Sequence, residues 1–310
     1  MGLPEAVTVV EVGPRDGLQN EPGVVPTEVK VGFIDRLAAT GLTVVEATSF
    51  VHPRWVPQLA DAAVVLAGIT PLDGVRYPAL VPNETGLDRA LESGVDEVAV
   101  FGAASEAFSQ RNLNRTIDES LAMFAPVVVR ATDAGLRVRG YVSTVLGCPF
   151  QGQVPQDDVL RVTAALLDLG CHEISLGDTI GVGTAGQVHD LLDHLAPHTG
   201  LDRLAVHMHD TYGQGLANTL AAFEAGITVA DASAGGLGGC PYAPGAKGNL
   251  ATEDLVWALE RSGVHTGVDL TALIDTIAWM ADQLGRPPVS RAAQAILARR
   301  DARPDDPYYC

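Results

Sequence analysis

The chain has 310 residues, a formal charge of −18 and 47% apolar residues, enough for a large buried core, and α/β barrels of roughly 250 residues form one domain. The acidic excess argues against nucleic acid, whose phosphates need clustered Lys and Arg, and any anionic ligand must find a local basic patch in a negative field. No apolar run reaches the roughly 20 residues of a membrane span, the N-terminus MGLPEAVTVVEVG has no basic segment ahead of a long apolar one, and the widely spaced Cys148, Cys171, Cys240 and Cys310 suit a reducing compartment, so the cytoplasm is expected.

Short apolar, β-branched runs predict strands near 7–12, 43–47, 77–81, 97–101, 137–142, 173–176, 204–208 and 229–233. Most are nearly all apolar, as parallel strands covered on both faces require. Helical patterns fill the intervals. The first runs from Thr27, a good N-cap type, to Ala39 ahead of Gly41. Others lie near 56–67, 84–93, 116–134, 155–169, 185–196, 214–225 and 252–262, and a last one near 270–284 stops at Gly285 before Pro287 and Pro288. Eight β–α repeats predict a (β/α)8 TIM barrel with a C-terminal helical extension and a Gly-rich lid loop after the eighth strand. The domain is expected over 1–298, with a polar, Pro-bearing tail at 299–310.

Such barrels carry their chemistry at the C-terminal ends of the strands. Polar residues do gather there. GPRDGLQ follows the first strand, Glu46 and Ser49 end the second, and Tyr141, Ser143 and Thr144 end the fifth. Ser175 to Thr179 end the sixth, His207, His209 and Asp210 the seventh, and GLGGCPYAPGAKGN follows the eighth.

His207 and His209 are the sharpest local signal. Residues two apart on a strand face the same side, so both imidazoles open onto one space. This suits a metal, although neighbouring carboxylates can satisfy the same pair. Asp16 offers a carboxylate oxygen and Asn249 a carbonyl oxygen; alone, each also reads as a turn residue or a helix cap. Together the four form a mixed nitrogen and oxygen set that suits Mg²⁺ or Mn²⁺, with Co²⁺ able to substitute. Arg15 can stabilise a developing oxyanion, or pair structurally with Glu46 or Asp178. The segment 235–248 is Gly-rich like a functional lid or an ordinary surface loop, and its Cys240 thiol is either a proton carrier or inert.

Seven strings carry a resemblance over nearly the whole chain, to about residue 298: EVGPRDGLQNE (11–21), VEATSFVHPRWVPQLAD (45–61), FGAASEAFSQRNLN (101–114), GYVSTVLGCPFQG (140–152), ISLGDTIGVGTAGQV (174–188), VHMHDTYGQGLAN (206–218) and GCPYAPGAKGNLATEDLV (239–256). The chain resembles the HMG-CoA lyase family of the DRE-TIM metallolyases, which cleaves 3-hydroxy-3-methylglutaryl-CoA to acetyl-CoA and acetoacetate. The lid string is specific; GPRDGLQ is shared with condensing synthases of the same superfamily.

The resemblance implies an acyl-CoA substrate and a divalent metal, Mg²⁺ or Mn²⁺, held by Asp16, His207, His209 and Asn249. It makes Arg15 the stabiliser of the enolate, Cys240 the lid thiol that exchanges a proton, and Glu46 and Asp178 active-site carboxylates. Asp16 and His207 count with the catalytic groups. Gln19, Ser49, Tyr141 and Ser175 fall at substrate-binding positions. It also implies a homo-oligomer, dimeric or higher, and a place in leucine or isoprenoid breakdown, with no nucleic-acid or membrane partner expected. The base is left open between Asp178 and a histidine. Lys247 stands where many relatives have a small residue, Thr144 where some have Cys, and the tail around Cys310 does not match. Three alternatives stay open: a substrate with a longer branch at C3 such as isohexenyl, a condensing synthase, and a silent barrel that only binds.

Overall fold

The computed structural model describes residues 2–239 and 248–302. Cys240, Lys247 and Cys310 lie outside them. The strands are β1 (Thr8–Glu11), β2 (Val44–Val45), β3 (Thr48–Ser49), β4 (Ala79–Leu80), β5 (Glu97–Ala103), β6 (Arg137–Ser143), β7 (Glu173–Asp178), β8 (Leu204–Met208) and β9 (Val229–Ala232). All named pairs are parallel, in the order β2-β1-β9-β8-β7-β6-β5-β4-β3.

The two ends of that order meet, because β2 lies within the second predicted strand and β3 continues the same segment beyond its expected end at 47. Glu46 N donates to Glu11 O at 2.8 Å on one side, while Val45 N and Ala47 N donate to Arg76 O and Pro78 O at 3.0 and 2.9 Å on the other. One segment thus serves both neighbours, and the ring is a closed barrel of eight strands.

The helices are α1 (Thr27–Ala38), α2 (Ala62–Gly68), α3 (Glu84–Glu92), α4 (Glu106–Leu113), α5 (Ile117–Asp133), α6 (Gln156–Leu169), α7 (Ala185–Thr199), α8 (Gly215–Ala225), α9 (Thr252–Arg261), α10 (Leu270–Leu284) and α11 (Arg291–Ala302). Phe33, Phe124 and Phe223 on α1, α5 and α8 are fully buried in the layer between helices and strands. Burying each such side chain stabilises the fold by about 1.5–3 kcal/mol.

Three departures from the sequence pattern have local causes. The helix expected over 56–67 divides into a 3₁₀ turn (Pro57–Leu59) and α2. α4 was hidden in a polar string; the Ser105 hydroxyl caps it by accepting from Phe108 N at 3.2 Å, and Asn114 ends it in the left-handed region at φ 53°. α11 runs on past residue 298, beyond which the tail was expected, and buries Ala293 and Ile296.

Candidate active site

The site is built at the C-terminal mouth, where β1, β8 and β9 end side by side. His207 and His209 leave β8 on one face, with their Nε2 atoms 3.2 Å apart. Asp16 comes from a five-residue π-helical turn, Gly13–Gly17, directly after β1. Such turns are enriched at functional sites because they redirect side chains within one turn. Two glycines allow it to pack: a Cβ on Gly13 would lie 2.6 Å from Glu11 Oε1, and one on Gly17 would lie 2.7 Å from Ser233 Oγ.

Asp16, His207 and His209 bring three ligand atoms within 4.8 Å of one another, and among the described residues no other trio of His, Cys, Asp or Glu does so. Asn249 joins them through a backbone bridge to His209, and its Nδ2 donates to Asp16 Oδ2 at 2.9 Å. Asn249 Oδ1 and His209 Nδ1 are buried with no hydrogen-bond partner. A buried lone pair without a donor is costly, and a cation is one way to satisfy the amide oxygen.

Charge at the site supports that reading. Burial lowers the His209 pKa to about 4, with the neighbouring His207 adding to the effect, so its ring is neutral at pH 7 and free to ligate. Burial alone would raise Asp16, but Arg15 and the two histidines hold its carboxyl below the usual range.

Arg15 lies against this group. Its Nη1 donates to Asp16 Oδ1 at 2.6 Å, its Nε donates to Glu46 Oε2 at 2.7 Å, and its guanidinium sits 5.4 Å from the centre of the Tyr141 ring. Burial works against the charge, yet Glu46 and Asp16 raise the affinity for the proton above the ordinary arginine value. Glu46 is itself buried, which raises its pKa despite Arg15, and its Oε1 has no partner. A fixed guanidinium beside this trio can oppose negative charge as it develops on a bound molecule.

The HMGL-like family model matches residues 6–279. The chain belongs to the hydroxymethylglutaryl-CoA lyase family. It is 56% identical to the mitochondrial hydroxymethylglutaryl-CoA lyase of Bos taurus, over 94% of this chain and 90% of the relative. Its fold superimposes on the Pseudomonas aeruginosa hydroxymethylglutaryl-CoA lyase with a TM-score of 0.95 at 53% identity, covering 96% of this chain and all of the other. An Acinetobacter baumannii HMG-CoA lyase in complex with coenzyme A and 3-methylmalate matches at 40% identity and a TM-score of 0.90, over 94% of this chain and 95% of that one. The chain is accordingly an enzyme of the carbon–carbon lyase class.

In this lyase a buried network that the sequence did not reveal stands behind the histidines. Asp231 on β9 accepts from Arg139 Nη2 at 2.8 Å through Oδ1, and from Ser175 Oγ at 2.8 Å through Oδ2. His207 Nδ1 lies 3.1 Å from the same Oδ2. Burial would raise Asp231, but Arg139 and His207 hold it far below the usual carboxylate range. An ionised Asp231 accepts only, so the proton of a neutral His207 sits on Nδ1 and the Nε2 lone pair faces His209 and Asp16. Arg139 is held in turn by Glu173 at 2.7 Å and by the Tyr141 hydroxyl at 3.0 Å.

The remaining expected residues are distributed as follows. Tyr141 and Ser175 are buried in that network. Ser49 is fully buried at the end of β3, where its hydroxyl accepts from Val51 N at 3.2 Å. Gln19 is half-buried four residues beyond Arg15. Asp178, at the end of β7, accepts from Val182 N at 3.2 Å and Gly183 N at 2.9 Å, which ties down the following loop. Burial raises its pKa against those donors. Cys240 is outside the described residues; Gly239 just before it accepts through its carbonyl from Asn20 Nδ2 at 2.8 Å.

Proposed function

We propose that the chain cleaves 3-hydroxy-3-methylglutaryl-CoA to acetyl-CoA and acetoacetate at this mouth. The observation that carries the reading is the convergence of Asp16, His207, His209 and the unpartnered Asn249 Oδ1 beside a buried Arg15. The complex of a relative with coenzyme A and 3-methylmalate supports an acyl-CoA substrate.

Asp16, His207, His209 and Asn249 would hold Mg²⁺ or Mn²⁺, which when bound acidifies the tertiary hydroxyl and orients the substrate. The chain's own groups do the rest. The hydroxyl proton leaves to a base at the mouth, and Asp178 is the better candidate: its oxygens keep lone pairs beyond two backbone bonds, whereas a ligating His207 donates through Nδ1 and has none free. The C2–C3 bond then breaks, its electron pair forming a thioester enolate while C3 becomes the ketone of acetoacetate. Arg15, kept in place by Glu46, offsets the enolate charge. Protonation at carbon, assigned to Cys240, gives acetyl-CoA. Gln19, Ser49, Tyr141 and Ser175 shape the polar walls of the substrate site, the last two by fixing Arg139 and Asp231.

The physiological setting goes with this reading: leucine breakdown, a homo-oligomer, and the cytoplasm, which the free buried thiols of Cys148 and Cys171 suit. No helix among the described residues is long and apolar enough to cross a membrane. The test is acetoacetate release from HMG-CoA by metal-stripped protein, with and without Mg²⁺ or Mn²⁺. Metal-restored cleavage is expected. Protein that binds the ion but releases no acetoacetate would transfer the reading to an acyl-CoA with a larger C3 branch.

A further inference from the structure

We infer that Glu11 is a positioning residue that fastens together the three chain segments around the site: the Arg15–Asp16 turn, the turn that follows β9, and the stretch leading from Asn249 into α9. This deepens the lyase reading and rests on it only for the roles of Arg15 and Asp16.

Glu11 is the last residue of β1 and is fully buried. Parallel strands flanked by helices normally carry apolar side chains at such positions. The register sets Val10 opposite Asp231 and Glu11 opposite Ala232, so Glu11 points away from the face that carries the Asp231 network. Each oxygen of its carboxylate has a definite task. Oε1 accepts from Gly13 N at 2.7 Å and from Ala234 N at 2.9 Å, while Oε2 accepts from the Thr252 hydroxyl at 2.6 Å.

The three donors belong to three different segments. Gly13 opens the π-helical turn that carries Arg15 and Asp16. Ala234 opens the 3₁₀ turn Ala234–Gly236 after β9. Thr252 opens α9 just beyond Asn249. None of the donors is charged, and a carboxylate buried among neutral donors is an expensive way to fill space. Its use here is geometric: one group with several lone pairs holds three pieces of backbone that are distant in sequence. The backbone follows the same junction, with Ser233 N donating to Leu250 O and Thr252 N to Ser233 O. Glu253 holds the same 3₁₀ turn from another side by accepting from Gly235 N at 3.0 Å and from the Ser290 hydroxyl, so among the described residues its contacts tie that turn to the start of α11 rather than to the Arg15–Asp16 turn.

The experiment uses the full chain, stripped of metal, in three variants: Glu11→Ala, Glu11→Gln and Thr252→Val. Two readouts are taken, Mn²⁺ affinity by titration and amide hydrogen exchange of the peptides spanning 12–18 and 233–238. Neither requires the substrate, so both stand apart from the outcome of the acetoacetate assay. Glu11→Ala is expected to weaken Mn²⁺ binding about tenfold and to speed exchange in both peptides together, the range seen when groups supporting a metal ligand are lost. Glu11→Gln is expected to recover most of this, because its amide oxygen can accept both N–H groups from the Oε1 position. Unchanged affinity and exchange in a folded Glu11→Ala protein, or a glutamine no better than alanine, would overturn the inference. If the alanine variant does not fold, Thr252→Val decides: coupling requires faster exchange in 12–18 and 233–238, and loosening confined to the start of α9 refutes it.

Discussion

Replacing Asp231 by Asn is the most incisive test of how His207 is prepared. The carboxylate accepts from three donors, Arg139, Ser175 and His207. An amide has one acceptor oxygen and one donor nitrogen, so it cannot serve all three. If its oxygen stays with Arg139, its nitrogen faces His207 Nδ1, which must then accept. The imidazole proton moves to Nε2 and the lone pair aimed at Asp16 and His209 is lost. If its oxygen serves His207 instead, the amide nitrogen faces the buried Arg139, which keeps only Glu173 and Tyr141. A hydrogen bond to a charged group contributes about 1.5–3 kcal/mol, which corresponds to a loss of roughly 10–100-fold in ion affinity. Breaking a buried ion pair costs about 3 kcal/mol or more, a fall in melting temperature of roughly 5 °C for a chain of this length. Calorimetric titration of metal-stripped protein with Mn²⁺ at 15 °C, well below the melt, separates the two effects. A folded Asp231→Asn protein that binds Mn²⁺ within twofold of the parent would refute the assignment of the His207 tautomer to Asp231.

Other expectations follow from the same geometry. Arg15→Gln should lower kcat by about 10²–10³ while sparing Mn²⁺ binding, as for a lost oxyanion contact; near-normal turnover on HMG-CoA would remove Arg15 from the chemistry. Cys240→Ser should slow turnover without changing ion affinity, and loss of the ion would mean that the thiol has another role. The metal-free protein should become less stable between pH 6.5 and 8. Burial raises Glu11 to about 7 and Glu253 to about 8 from 4.5, so in this window the folded chain retains protons that the unfolded chain has released. Each group contributes a downward slope of at most about 1.4 kcal/mol per pH unit until the pH passes its folded value. Scanning calorimetry across the window would show a falling melting temperature; a flat or rising one would contradict the protonation of these two acids.

Much of the site could be read from the sequence because it rests on short-range rules. His207 and His209 obey the two-residue strand period, and GPRDG falls directly after a strand in a chain whose β–α alternation already specifies where chemistry sits. What escaped depends on contacts between distant residues. Asp231 is one acid in the apolar run Val229–Ala232, and Arg139 and Tyr141 alternate along β6. Nothing local says that β9 brings Asp231 onto Arg139 and His207. An isolated charge in a strand otherwise covered on both faces was the available signal. Asp178 shows a different case: its place in the string SLGDT suggested chemistry, and the structure adds a second task, since each of its oxygens also accepts from a backbone N–H of the next loop. The helix α4 lay in a polar stretch, where the Ser105 cap defines it better than periodicity does, and the start of α11 is fixed from a distance by Asp254, which accepts from Arg291 N and Ala292 N.

The ring is joined between the first strand and the last, with β1 paired to β9 along Thr8–Glu11 and Val229–Ala232. Asp16 and Asn249 meet across that join, 233 positions apart in the chain. Contacts between such distant positions form late, since the intervening chain must be ordered before its ends can be held together. An emerging polypeptide therefore has its histidines before it has a site, and an N-terminal fragment never has one. At the proposed ion site, affinity for the ion would measure whether the barrel has closed.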